Sequence, residues 1–295
     1  MNRMTRRDVL RAATGVAMAS SAPLAALAKG LQPDMPIPPA VIPVRQGGFG
    51  YLPESGAPFS AAVVASEGFA FKRVRLRHPV PMELGFAWMA RAIKAEGRPL
   101  ASLAGCELRI PRRLTRPEFA EFNKTYLSSL RSNGFTVEES VAIARSNTAP
   151  AQAPPTSTVL SAYTFAVPRK AGRMAAGPDF VVSGSPENAS NPNRVIAAGD
   201  VSPQGMQEKA AFVLQKLRGY VADAGANWGD ITGCQVYTVQ PLEPVMPMLQ
   251  AAGLADVGIT VFPAYIPVIG FGGANYEFEV DVRSVSLEQS LSASM

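Results

Sequence analysis

The sequence predicts an α/β protein of the α+β kind, laid out as two tandem β-β-α-β-α-β-β units, and two observations carry that prediction. Gly97 to Cys106 reads GRPLASLAGC and Gly225 to Cys234 reads GANWGDITGC, at one constant offset, with glycine, a Gly-Cys pair and an apolar Leu103 or Ile231 in step. Upstream, Phe86, Met89 and Ile93 fall on Leu214, Leu217 and Val221 in the same register, at the spacing of one helix face. In each unit a helix therefore ends at the glycine and a strand opens at the cysteine.

Residues 1–28 read as an export leader and not as part of the fold. Thr5-Arg6-Arg7-Asp8-Val9-Leu10 precedes an apolar run of small residues, and Ala26-Leu27-Ala28 fits a cleavage site; the twin arginines point to the Tat route and an exported, periplasmic product. The run is too short to span a bilayer unaided, which takes about 20 apolar residues, so no membrane association is expected after cleavage. Residues 29–58 carry seven prolines and little periodicity, the composition of an extended arm over the surface.

The first unit is assigned to 59–170. Residues 61–71 and 73–78 read as strands with Gly68 near their turn, 84–96 as a helix and 106–110 as a strand. Thr115 and Glu118 make a capping box with Pro117 in the first turn. The helix that follows, 117–131, carries Phe119, Phe122, Tyr126 and Leu130 on one buried stripe. Strands at 141–147 and 161–167 close the unit around a Pro-rich loop. The second unit, 171–288, repeats the order. Strands at 180–183 and 194–198 lead to a helix over 203–224 and a strand at 232–239. A helix near 245–252, cut short by Pro244 and Pro247, precedes strands at 258–266 and 275–285.

The chain has 295 residues, 47% of them hydrophobic, enough for two cores. Of its net charge of +5, the leader carries most, through Arg3, Arg6, Arg7 and Arg11 against Asp8. No basic stripe interleaves with aromatics, so no nucleic-acid partner is expected. Cys106 and Cys234 occupy equivalent strand starts; an exported chain permits a disulfide, whereas the Gly-Cys context reads as close packing of two buried thiols. His78 is the only histidine and sits beside Pro79, which argues against a Ser-His-Asp system. No Cys/His/Asp cluster has zinc spacing and no Gly-rich loop joins a strand to a helix, so neither a metal nor another cofactor is expected. Gly270 to Gly273 reads as a hairpin turn between the final strands.

The two units differ where function would lie. After the second helix the first unit reads Ala144-Arg145-Ser146, and the second reads Pro263-Ala264-Tyr265. Together with Phe122-Asn123-x-x-Tyr126 and Ser183-Gly184, this order resembles the RidA (YjgF) family of imine/enamine deaminases, which have a chorismate-mutase-like fold. Gly199-Asp200-x-Ser202-x-x-Gly205-Met206, Val236-Tyr237-Thr238-Val239 and the two-unit length are most similar to the long 2-aminomuconate deaminases. The resemblance runs from about Phe59 to Val285. It implies units packed about a three-fold axis, as a homotrimer of two-unit chains or as three-fold quasi-symmetry made by fewer chains, with sites in clefts between units. It also implies an arginine that holds the substrate carboxylate and a glutamate that positions the hydrolytic water. Arg145 matches the arginine; Glu277 matches the glutamate best, with Glu279 the alternative. The first unit has Ala162-Tyr163-Thr164-Phe165 at the glutamate's place and the second has Tyr265 at the arginine's. Each unit thus retains half of the constellation, which favours one composite site per pair of units or a loss of activity.

On chemistry alone, a guanidinium grips a carboxylate through two parallel hydrogen bonds, which suits a small 2-imino or 2-enamino acid. Water attack at C2 needs a base within reach and a donor for the departing nitrogen. Glu277 fits the first role, and a bound water or Tyr265 the second. Asn123 and Ser183 are candidate substrate contacts, set against a local helical bond for Asn123 and a plain turn for Ser183. Arg145 reads otherwise as half of a structural ion pair. The alternating Glu277, Glu279 and Asp281 form either a solvated outer face or the lining of a cleft. The expectation is a hydrolytic deaminase that releases ammonia from a 2-aminomuconate-like enamine or imine, the alternative being a non-catalytic small-carboxylate-binding protein.

Overall fold

The computed structural model describes residues 41–292 apart from 55, 137–140, 171–176 and 191–192, so the expected leader and the start of the expected arm lie outside the described residues. The first half runs β1 (Ile42–Val44), β2 (Phe49–Pro53), β3 (Ser60–Ala65), β4 (Phe69–Pro81), α1 (Met82–Ala95), β5 (Leu103–Arg109), α2 (Arg116–Ser132), β6 (Ala144–Pro150) and β7 (Val159–Pro168). The second runs β8 (Phe180–Pro186), β9 (Asn188–Ser190), β10 (Asn193–Val195), α3 (Pro203–Asp223), β11 (Gly233–Thr238), α4 (Met246–Ala251), β12 (Ile259–Tyr265), β13 (Glu279–Ser284) and β14 (Leu287–Leu291).

Local chemistry sets the helix ends. The Thr115 side chain accepts from the Glu118 N–H while the Glu118 carboxylate accepts from the Thr115 N–H, a reciprocal cap for α2. Past α1 and α3, Gly97 and Gly225 both turn left-handed at φ +70, which a Cβ would resist. The bonds Arg98 N–H to Ile93 O and Ala226 N–H to Val221 O close the two ends alike. Each helix then buries its stripe. Phe86, Met89 and Ile93 join Tyr126 and Leu130 over Val74, Leu108 and Phe165; Val213, Leu217 and Val221 pack on Val236, Val280 and Val282. Each such side chain contributes about 1.5–3 kcal/mol. Cys106 and Cys234 are free, buried thiols within these layers.

The halves share one local arrangement: β5 pairs parallel with β6 and antiparallel with β7, and β11 pairs parallel with β12 and antiparallel with β13. The strands β3, β8, β13, β11, β12 and β6 follow one another, and Ser60 opposite Ala144 returns β6 to β3, closing a six-stranded ring. The faces of β11 and β13 turned away from α3 are polar. There Asp281 accepts from Ser146 Oγ (2.6 Å) and Tyr237 OH (2.7 Å), while Gln235 bridges Asp281 to Glu107. Burial works to raise Glu107, but the Arg73 fork beside it holds its carboxyl down at about 2.

Several expectations are corrected by this topology. The arm is not a surface strap where it is described: Phe49, Tyr51 and Leu52 are buried, because β2 pairs with β3 along its whole length. The strands flanking Gly68 do not pair with each other, β3 lying between β2 and β8 and β4 between β7 and β14. The strand expected at 194–198 shrinks to β10, which folds back on β9. Gly270 to Gly273 is no hairpin turn, since β11 separates β12 from β13. The solvated-face reading of Glu277, Glu279 and Asp281 fails as well, all three being buried.

Candidate active site

Strands β6, β8 and β13, helices α2 and α3 and the segment 56–61 meet around a cleft of about 610 Å³. Arg145, on β6, reaches it from a nest of rings. Its guanidinium carbon lies 4.7 Å from the Phe59 centroid, 4.8 Å from Tyr126, 5.5 Å from Phe122 and 5.6 Å from Phe119. Phe119 and Phe122 are only half-buried and wall the arginine; Phe122 still packs on the core beside Tyr126 and Leu130, whereas Phe119 leaves the expected stripe. Arg145 is 4% exposed, its Nη1 has no hydrogen-bond partner, and among the described residues no acid lies within ion-pair distance of it. The structural ion pair thus has no second member. Burial draws the guanidinium down to about 10, which leaves it charged at neutral pH. Four aromatic faces offset part of that buried charge, and a carboxylate ligand would offset the rest.

Ser183 and Gly184 act on this arginine and on Glu279. The Ser183 Oγ accepts from the Arg145 backbone N–H at 2.9 Å and donates to the Ser60 carbonyl, so its one proton is spent bracing β8 against β3 and β6. Ser183 lines the cleft, yet as a clip. A Cβ on Gly184 would collide with the Glu279 carboxylate, so that glycine opens the space into which Glu279 leans. Glu279 is 4% exposed. Burial above all, then the negative charges of Asp281 and Glu187, push its carboxyl up to about 8 against the pull of Lys216 and Arg109.

Asn123 reaches the same cleft from α2 with an unpartnered Oδ1. Arg145, Asn123, Ser183 and Glu279 are therefore brought together; Glu277 and Tyr265 are not. Glu277 precedes β13, where its Oε2 accepts from Gln240 Nε2 at 3.0 Å and its backbone N–H is taken by Glu187, turning it from the cleft. Tyr265 alternates to the outer side of β12, is 38% exposed and stacks beneath Arg113. It stands outside the cleft that Arg145 and Glu279 line.

A family model described as 2-aminomuconate deaminase CnbZ matches residues 41–289. The 2-amino-5-chloromuconate deaminase of Comamonas testosteroni is 32% identical over 260 residues, which are 86% of this chain and 100% of that one. This chain belongs to the 2-aminomuconate deaminase family. The crystal structure of the YjgF gene product from E. coli is similar over 41% of this chain and 93% of its own, at 14% identity and a TM-score of 0.26.

For this member of the 2-aminomuconate deaminase family, sequence reasoning missed several polar residues of the cleft, Asn147 and Lys216 among them. Asn147 follows Arg145 by two positions, and strand alternation alone would have placed it on the same face. Lys216 of α3 is half-buried at the cleft and donates to Asn188 Oδ1 at 3.0 Å; nothing in a helical lysine among apolar neighbours signals that role.

Proposed function

We propose that this chain hydrolyses the enamine or imine of a small carboxylic acid of the 2-aminomuconate kind and releases ammonia. One juxtaposition carries the reading: an unpaired, buried Arg145 and a Glu279 carboxyl held near neutrality line one cleft. In this scheme the guanidinium fixes the substrate carboxylate in position and angle. A group whose pKa lies near the working pH can both give and take a proton. Glu279 first protonates the enamine carbon, leaving the 2-iminium and a Glu279 carboxylate. That carboxylate takes a proton from water as the water oxygen bonds to C2. The carbinolamine then collapses: Glu279 gives that proton to nitrogen, the C–N bond breaks as the hydroxyl oxygen becomes the carbonyl, and the hydroxyl proton passes back to Glu279, giving ammonia, a 2-oxo acid and the protonated carboxyl with which the cycle began. Tat export and a homotrimer belong to the same proposal.

The test is ammonia release from 2-aminomuconate, and from imines made in situ by an amino-acid oxidase, in excess of the buffer rate. Glu279→Gln is expected to bind ligand and lose the catalysed excess, because removing a proton-transfer group spares ground-state contacts. Glu277→Gln should stay near wild type. Wild-type protein that binds these acids without accelerating release would instead be a carboxylate-binding module.

A further inference from the structure

Among the described residues, Asn147 is the amide of the cleft with both ends buried and unpartnered. It is 4% exposed, and neither its Oδ1 nor its Nδ2 has a hydrogen-bond partner. Of the other amides lining the cleft, Asn188 accepts from Lys216, and Asn123 has a buried, unpartnered atom at Oδ1 alone. A buried amide with both ends unsatisfied is destabilising, and such a group persists where a ligand supplies the missing bonds.

Its position says which part of the ligand that is. Asn147 and Arg145 are alternate residues of one strand, both lining the cleft, and such residues stand about 6.6 Å apart. In a 2-amino or 2-imino acid the nitrogen sits on the carbon bonded to the carboxylate. An acid seated on Arg145 therefore presents its nitrogen within one short side chain of that carboxylate. We infer that Asn147 reads this nitrogen, its Oδ1 accepting from the substrate N–H and its Nδ2 donating to the oxygen that adds at C2. Asn147 is thus the specificity residue that separates nitrogen-bearing acids from their oxygen counterparts. The inference rests on the carboxylate-anchoring role given to Arg145 above.

Two stable planar acids separate the parts of this argument by isothermal titration. Pyrrole-2-carboxylate carries a ring N–H beside its carboxylate, and 2-furoate carries a ring oxygen in the same place. Wild-type protein is expected to bind the pyrrole acid about tenfold more tightly, the discrimination of one buried hydrogen bond. Asn147→Leu should bind both acids equally, with 2-furoate within about twofold of its wild-type Kd. Its unfolding temperature should hold or rise, since two unsatisfied polar atoms leave the interior, whereas a residue with a structural role would lose stability. If the leucine variant fails to fold, Asn147→Ala serves for the same comparison. An undiminished pyrrole preference in the variant, or no preference in the wild type, overturns the assignment of Asn147 alone. Failure of both acids to bind wild-type protein overturns the anchoring role of Arg145, and this inference with it.

Discussion

Glu279 shows how burial turns an ordinary carboxyl into one that titrates near neutral pH. Its value rises from 4.5 to about 8 because desolvation, Asp281 and Glu187 outweigh Lys216 and Arg109. Between those two values the folded chain holds a proton that the unfolded chain has lost. Stability from this group is thus fully present below pH 4.5 and is lost as the pH rises through about 8. Asp281, also raised by burial and then by Glu107, acts in the same direction. The urea midpoint should therefore fall across this range in wild type and fall less in Glu279→Gln; equal slopes would assign the decline elsewhere. Arg145 was legible in the sequence because Ala-Arg-Ser follows a readable helix and strand start. The choice between Glu277 and Glu279 was not. A period of two presumes an unbroken strand, and the strand begins at Glu279 because Glu187, ninety positions away, removes residues 277 and 278 from the ladder.

That same Glu187 is an anchor between elements. Its carboxylate accepts from the Glu277 and Phe278 N–H groups and lies 3.4 Å from Lys209 Nζ, both side chains being fully buried. Lys209, on α3, also donates to the Ile196 and Ala197 carbonyls, so one ion pair ties the helix, the turn after β10 and the approach to β13. Glu187→Ala would leave a buried ammonium without its counter-charge, a loss of about 3–5 kcal/mol. Thermal unfolding should register that loss, and ammonia release should fall because the segment carrying Glu279 is no longer pinned. An unchanged unfolding temperature would show the pair to be dispensable. The helices were readable to within two or three residues because caps and apolar spacing are local signals. Strand neighbours were not, since alternation identifies a strand without naming its partner, and so β3 and β4 were read as adjacent.

Across the whole molecule, the halves are interlocked at their edges. The strand β3 of the first half joins β8 of the second, and β14 returns to lie parallel to β4 from Leu287 opposite Lys72 to Leu291 opposite Leu76. Glu288 of β14 also bonds to Arg283 at 3.0 Å and reaches Arg73 at 3.5 Å. Removing everything after Ser286 should uncover one edge of β4 and its buried Val74 and Leu76, and open edges invite pairing with other chains. The truncated protein is expected to unfold at lower temperature and to self-associate with concentration, read by thermal scans and light scattering; monodisperse, equally stable protein would refute this. The order of elements was legible from the repeated glycine and cysteine spacing, whereas the closed ring was not, because Ser60 meets Ala144 through contacts no local pattern encodes.

The return of β14 to β4 has a consequence for the timing of synthesis. On the ribosome β4 emerges more than two hundred residues before the strand that covers it, so its flank stays open until the second half has been made. Neighbouring nascent chains on one messenger present the same flank to one another, and a chaperone that shields it would have to remain until β14 clears the exit tunnel.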